Sequence, residues 1–305
     1  MALRFVLIVF LIVALPAQAG TDRGPFLDMA RKGWVYELRS AMWPRAADMP
    51  PIRINGRDMA GSVLCLIGEP PHPQTLQVLQ GFAALMHEVF GKPLPLRFAD
   101  TGLAACGTGR IVFLRLYSGA TPHGALNDDL RRMDLSYGIG FPKGRNQWVL
   151  SPAQAQTFFG RNGMATHMLV KQSRQAVPTA LEQKFFASIL IEELYQSFTF
   201  GMDILHFDLQ ARFLSKLEEA PINLRNLAWD SPRFMQGLLR SNPARLCPFD
   251  VFMLHALARS PVEQTNSPEF LSFIETRFDD LEQLAGATVA RAEHALIVDS
   301  ACTSN

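Results

Sequence analysis

The stretch FFASILIEELYQSFTFGMD, residues 185–203, constrains this chain more than any other. It is apolar enough to sit inside a globule. Yet it carries two adjacent carboxylates, Glu192 and Glu193, with an amide, Gln196, one turn later. Thr179 and Glu182 follow Pro178 as a T-x-x-E capping box, so the spacing predicts a helix from about residue 179 to Phe200, stopped by Gly201. On a helical wheel Leu181, Phe185, Ile189, Glu192 and Gln196 fall within an arc of about 80°. Glu193 stands about 100° from Glu192, at the edge of the same side. An apolar stripe therefore runs straight into polar groups. Ionised carboxylates are costly to bury unless paired, hydrogen-bonded or metal-bound, so any fold of this chain must supply them with partners.

The spacing is that of the zinc-protease helix H-E-x-x-H, in which histidines at i and i+4 hold the metal and the intervening glutamate handles the proton of the attacking water. Here EELYQ keeps the central glutamate, making Glu193 the candidate catalytic general base. Glu192 and Gln196 stand at the metal-ligand positions. A carboxylate is a genuine zinc ligand, whereas a neutral amide oxygen suits harder cations, so a divalent metal is conceivable and zinc is disfavoured. Asp203 is a candidate third oxygen ligand or a turn residue. His206, His167 and His255 are the histidines that could fold back to the cleft. Three readings stay open: a hydrogen-bonded structural cluster, a working metal hydrolase, and a binding cleft on an inactive peptidase scaffold.

The wider segment IEELYQSFTFGMD resembles the E-E-L-x-Q…D signature of the DUF2927 family, a group of uncharacterised and mostly exported bacterial proteins. Glu192, Glu193, Leu194, Gln196 and Asp203 match it, while Thr199 and Met202 replace the usual glycine and asparagine. Downstream, FDVFMLHAL (249–257) loosely resembles that family's F-D-x-x-x-L-R-x-L-Y helix. The likeness spans roughly residues 50–260, and its specific part is the E-E-L-x-Q core. The family itself resembles an offshoot of the zincin metallopeptidases. That implies strand–helix–strand–strand units, then an edge strand, then the helix of the motif. It implies a peptide or protein as the partner, through either a divergent hydrolase or a catalytically silent binding or assembly protein of the cell envelope.

The rest of the chain reads as an α+β fold. Apolar spacing predicts a helix over 25–43, strands at 52–54 and 62–68, and an amphipathic helix over 74–90 ended by Gly91 and Pro93. Strands follow at 94–98 and 110–117, the second a continuous β-rich run suited to a sheet centre. Residues 118–146 are polar and rich in turn formers, which predicts a long surface excursion. QWVLSP (147–152) and 165–172 are short strand candidates, the latter the expected edge strand. Beyond the capped helix the pattern is helical: 208–218, 232–240, 248–259, 268–284 and 288–298. Pro232, Pro248 and Pro268 each stand where a first helical residue would. With no Ser/Gly linker, 20–305 is expected to form one compact domain, an α/β part (20–178) and a helical part (179–305).

The first 19 residues have the pattern of an export signal: Arg4, an apolar segment over 5–15, and small residues at Ala17 and Ala19. That apolar segment falls short of the ~20 residues a membrane span needs. A periplasmic or extracellular setting is oxidising, so Cys65, Cys106, Cys247 and Cys302 are expected as disulfides, the alternative being buried free thiols. Of the three pairings, Cys65–Cys106 and Cys247–Cys302 keep each bridge within one half of the chain. With 305 residues, 48% hydrophobic and a net charge of +1, the chain has material for a core and no basic excess for nucleic acid.

Overall fold

The structure, a computed structural model, describes residues 22–39, 51–99, 102–208 and 210–303. The export signal over 1–19 lies outside the described residues.

Five strands form one mixed sheet in the order β2-β1-β3-β5-β4. They are β1 (Val63–Gly68), β2 (Leu96–Phe98), β3 (Ile111–Tyr117), β4 (Ala153–Gly160) and β5 (Gly163–Lys171). All neighbours are parallel except β4 with β5, which are antiparallel. The pleat sorts side chains to two cores with period two. Leu64, Leu66, Val112, Leu114, Met168 and Val170 face one; Cys65, Ile67, Ile111, Phe113, Ala165 and Leu169 face the other. β3 is central, as its continuous apolar run predicts. The expected edge strand at 165–172 is an internal one. β5 is buried along most of its length because β4, eight residues (AQAQTFFG) not read as a strand, takes the edge. QWVLSP forms no strand and leads into β4.

The first core lies between the sheet and α2 (Pro73–Phe90), α4 (Ala180–Thr199) and the C-terminal helices. Those are α5 (Pro232–Ser241), α6 (Pro248–Arg259), α7 (Pro268–Thr276) and α8 (Phe278–Val289). Proline opens α5, α6 and α7 where the missing N–H is no loss. The expected helix over 268–284 is two, because Arg277 leaves helical geometry between α7 and α8. Residues 288–298 do not continue as a helix beyond the end of α8 and a short 3-10 turn at Ala292–His294. Helix α1 (Arg23–Trp34) is shorter than 25–43: Val35 turns extended, and residues 35–39 run beside the 51–54 segment, which is hydrogen-bonded but not a strand.

The second core corrects the expected surface excursion at 118–146. Within it α3 (His123–Tyr137) packs Leu126, Leu130, Met133 and Tyr137 onto the opposite face of the sheet. The Cys65–Cys106 bridge joins this core, and Cys247–Cys302 ties the start of α6 to the last described residues, with Cα separations of 5.8 and 4.8 Å. Both are the expected pairs. Among the described residues no helix is long and apolar enough to cross a membrane.

Helix α4 starts as predicted: Thr179 accepts from the Glu182 N–H while Glu182 accepts from the Thr179 N–H. It is buried on nearly every side between the sheet, α2 and α5. Its stop differs from expectation. Phe200, not Gly201, takes the left-handed conformation (φ 56°), a cost of about 1 kcal/mol for a side-chain-bearing residue. Trp34 Nε1 donates to the Thr199 carbonyl and Tyr36 Oη to that of Phe200, satisfying carbonyls that the helix end leaves open. Gly201 has a packing role instead: a Cβ there would lie 2.5 Å from Leu217 and 2.7 Å from Trp34.

Candidate functional site: an acidic cleft beside the edge strand

Glu192, Glu193 and Gln196 line one cleft of about 260 Å³, with the start of β4 forming its other wall. Asp203 and Glu219 join them. Ile204–Leu205 (β6) pairs in parallel with Glu218–Glu219 (β7), matching Leu205 to Glu219, so Asp203 and Glu219 fall on one side of this two-stranded ladder. Among the described residues of the expected helix at 208–218 none is helical, for a physical reason. The Glu218 carboxylate accepts from the Leu214 and Ser215 N–H groups, and the Asp250 carboxylate from the Lys216 N–H (2.8 Å) and the Ser215 hydroxyl. Side-chain acceptors thus take the donors a helix would have used.

That loop carries the residue the sequence did not announce. Lys216 is fully buried, and its ammonium donates to Glu192 Oε2 (2.8 Å) and Ser188 Oγ (3.2 Å). Asn242 Nδ2 donates to the same Glu192 oxygen at 2.8 Å. Glu192 therefore finds its counter-charge in the protein itself. Gln196 Nε2 donates to Asp203 Oδ1. Glu193 is left over: it is 9% exposed, and its Oε2 has no hydrogen-bond partner.

The electrostatics follow from a count. Four carboxylates, on Glu192, Glu193, Asp203 and Glu219, face one ammonium. Burial, reinforced by Glu192, Asp203 and Glu219 and only partly offset by Lys216, pushes Glu193 well above the usual carboxylate range. Asp203 stands at the open mouth, yet burial of its carboxyl and the Glu192 charge raise it to about 6 against the Gln196 hydrogen bond and Lys216. Burial, Glu192 and Asp203 lift Glu219 to about 7. Beneath the cleft, burial lifts Asp250 to about 7 although Ser215, Cys247 and Lys216 all donate to it.

A divalent metal does not fit this donor set. Glu192 Oε2 already takes two donors, and the Gln196 amide nitrogen faces Asp203. Among the described residues the group of three whose ligand atoms lie within 4.8 Å of one another is Glu88, Glu293 and His294, away from the cleft. There Arg291 already pairs with Glu88 (3.2 Å) and Glu293 (3.3 Å), so the cluster is an ion-pair network.

The histidines stand elsewhere. His206 is held by Glu218 (2.9 Å) and stacks on Phe213. His167 faces α3 across the sheet and meets Asp129 at 3.0 Å. His255 bonds Thr288. Lys216, Glu219 and Asn242, the groups missed in the sequence, carry no spacing signal tying them to the helix; only the doublet Glu218–Glu219 hints at a second acidic wall. No protein-family model, curated protein or solved structure matches this chain.

Proposed function

We propose that this chain is an exported protein on a DUF2927-like, metallopeptidase-related scaffold that binds an extended peptide and does not cut it by metal chemistry. One observation carries the reading: the Lys216 ammonium sits on Glu192, supplying from within the chain the positive charge that a metal would bring. The two disulfides are compatible with an oxidising compartment.

The peptide reading draws support from β4. Among the described residues no strand pairs with its outer edge. The Lys171 N–H donates to the Pro152 carbonyl, and with period two the backbone groups of residues 154, 156 and 158 then face β5 while those of Ala153, Ala155 and Thr157 point outward. Such an edge recruits an extended segment by backbone hydrogen bonds. Within 118–146, Leu126, Leu130, Met133 and Tyr137 pack on the other face of the sheet, and none of the segment lines the cleft.

One observation favours a second reading, a hydrolase. Burial and the neighbouring carboxylates push Glu193 well above the ordinary carboxylate range, which is the direction in which a general acid or base is tuned. Metal analysis of the purified chain, with binding and cleavage of unfolded casein, separates the two. The expected result is saturable binding without cleavage or stoichiometric metal, and weaker binding by Ala155→Pro, which removes one outward N–H and leaves the β4–β5 ladder intact. Cleavage that disappears in Glu193→Gln, or stoichiometric metal that disappears in Glu192→Gln, overturns the binding reading.

A further inference from the structure

We infer that the acidic cleft is a subsite for a basic side chain, lysine or arginine, carried by the strand that docks on β4. The inference rests on the peptide-binding reading and adds the chemistry of what is bound.

Charge balance is the first ground. Lys216 is the only cationic group facing the four carboxylates among the described residues, and its hydrogen bonds go to Glu192 and Ser188, not to Glu193, Asp203 or Glu219. Three acids share a confined space with no cation of their own. The second ground is independent of the count. Glu193 is nine-tenths buried, lines the cleft, and has a carboxyl oxygen without a partner. A buried polar group of this kind costs stability unless something answers it, and such groups persist where a ligand does so.

Shape and lining select the kind of cation. The acids do not converge tightly enough for a metal, as shown above, so the ligand is a monocation able to bridge separated carboxylates by several donors. The remaining wall is neutral and partly apolar, with Ala153, Ala155, Ile189 and Leu238. An alkyl stem along such a wall with a charged head among acids is how lysine and arginine side chains bury. The wall includes the first residues of β4, and every second side chain of a strand paired to that edge faces α4. A peptide lying on the edge therefore delivers a side chain into the cleft without leaving extended geometry.

Other charged groups do not compete. The β4 wall contributes Ser151, Pro152 and Gln154, all neutral, and α5 contributes Leu238. Ionisation of Asp203 near pH 6 and Glu219 near pH 7 sets the attraction, so it strengthens as pH rises through that window and weakens below it.

The test uses the full chain and a labelled threonine–valine peptide of about nine residues, with lysine or norleucine at its centre, in fluorescence anisotropy. The lysine peptide is expected to bind about tenfold tighter at about pH 7.5, the worth of one charge-assisted contact. The preference is expected to fall to about threefold or less at about pH 5, and likewise in Asp203→Asn/Glu219→Gln. The pH arm reads the wild-type protein, so the test stands even where the double variant folds poorly. Equal binding of both peptides overturns the basic subsite and leaves strand docking intact. Binding of neither overturns both. A lysine preference that survives at low pH and in the double variant places the cation outside this cleft and overturns the subsite.

Discussion

The two faces of the sheet bury charge in opposite ways. On the α3 face Asp129 accepts from Nε and Nη2 of Arg115 and is met by His167. Burial alone would raise its pKa, and these hydrogen bonds and charges outweigh burial and hold it below the ordinary value. On the α4 face the carboxylates outnumber the one ammonium, and burial raises Glu193, Asp203 and Glu219. Both regions are polar clusters in a hydrophobic interior. The first is closed, each group answered by another from the same chain. The second is open, with a surplus of one sign and an orphaned oxygen. Burial of charge alone therefore does not distinguish the candidate cleft from the closed cluster; imbalance does.

The largest test of that contrast is Lys216→Met. Glu192 would keep Asn242 but lose its counter-charge inside the protein, and breaking a buried pair from one side costs about 3–5 kcal/mol. Chemical denaturation should show a loss of that order, and the added change Glu192→Gln should restore much of it by removing the stranded charge. A loss below about 1 kcal/mol would mean the pair is no more than a surface ion pair, and the cleft would lose its internal cation.

The same kind of substitution on the two faces should then act with opposite signs. Asp129→Asn removes an ionised carboxylate with full partners and strands Arg115, so a loss of about 3 kcal/mol at neutral pH is expected. Glu193→Gln replaces a group that holds its proton more tightly when folded than when unfolded. Its unbonded oxygen leaves little to lose. The variant should melt at or above the wild-type temperature at about pH 8 and near it at about pH 4. Wild type itself carries the signature. Asp203, Glu219 and Asp250 retain protons in the folded chain at pH values where the unfolded chain, with ordinary values of 3.8 to 4.5, has lost them. Their stability contribution is full below those ordinary values and is lost as pH rises through about 6 to 7. Asp129 works the other way, losing its contribution as pH falls through its lowered value. Melting temperature should therefore peak in mildly acidic solution. A peak at about pH 8 would mean the cleft carboxylates are ionised and partnered.

The sequence carried one half of the cleft and not the other, for reasons of distance along the chain. Helix α4 was legible because its signals are local: the cap spans Thr179 to Glu182, and Glu192, Glu193 and Gln196 share a face by helical geometry alone. The proline-led starts of α5, α6 and α7 are local in the same way. Lys216 meets Glu192 across 24 positions, and the loop that brings it there has a helical pattern of its own. It escapes that pattern because Asp250, 34 positions away, captures its N–H. Helix α3 was hidden differently: its apolar residues are correctly spaced, but Asp128, Asp129, Arg131 and Arg132 between them make the segment read as surface. Strand β4 was hidden because its first half alternates alanine with glutamine and buries too little to stand out, its two phenylalanines coming only near its end.

The smallest expected effect probes how the open cluster is graded from floor to mouth. Gln196 is half-buried and gives Asp203 the one hydrogen bond that lowers its titration point. Gln196→Ala removes that donor and leaves Lys216 alone to oppose burial and the Glu192 charge. Asp203 stands at the exposed mouth, where water can replace the amide, so the stability change should stay within about 1 kcal/mol. The titration, followed by carboxyl-carbon NMR, should still move upward from about 6, because water at the mouth does not reproduce a fixed N–H donor. A downward shift would mean that Gln196 shields Asp203 from solvent more than it stabilises the charge. The acidity of the cleft mouth would then be set by exposure, as on an ordinary surface, and the contrast with the closed Asp129 cluster would reduce to a difference in depth.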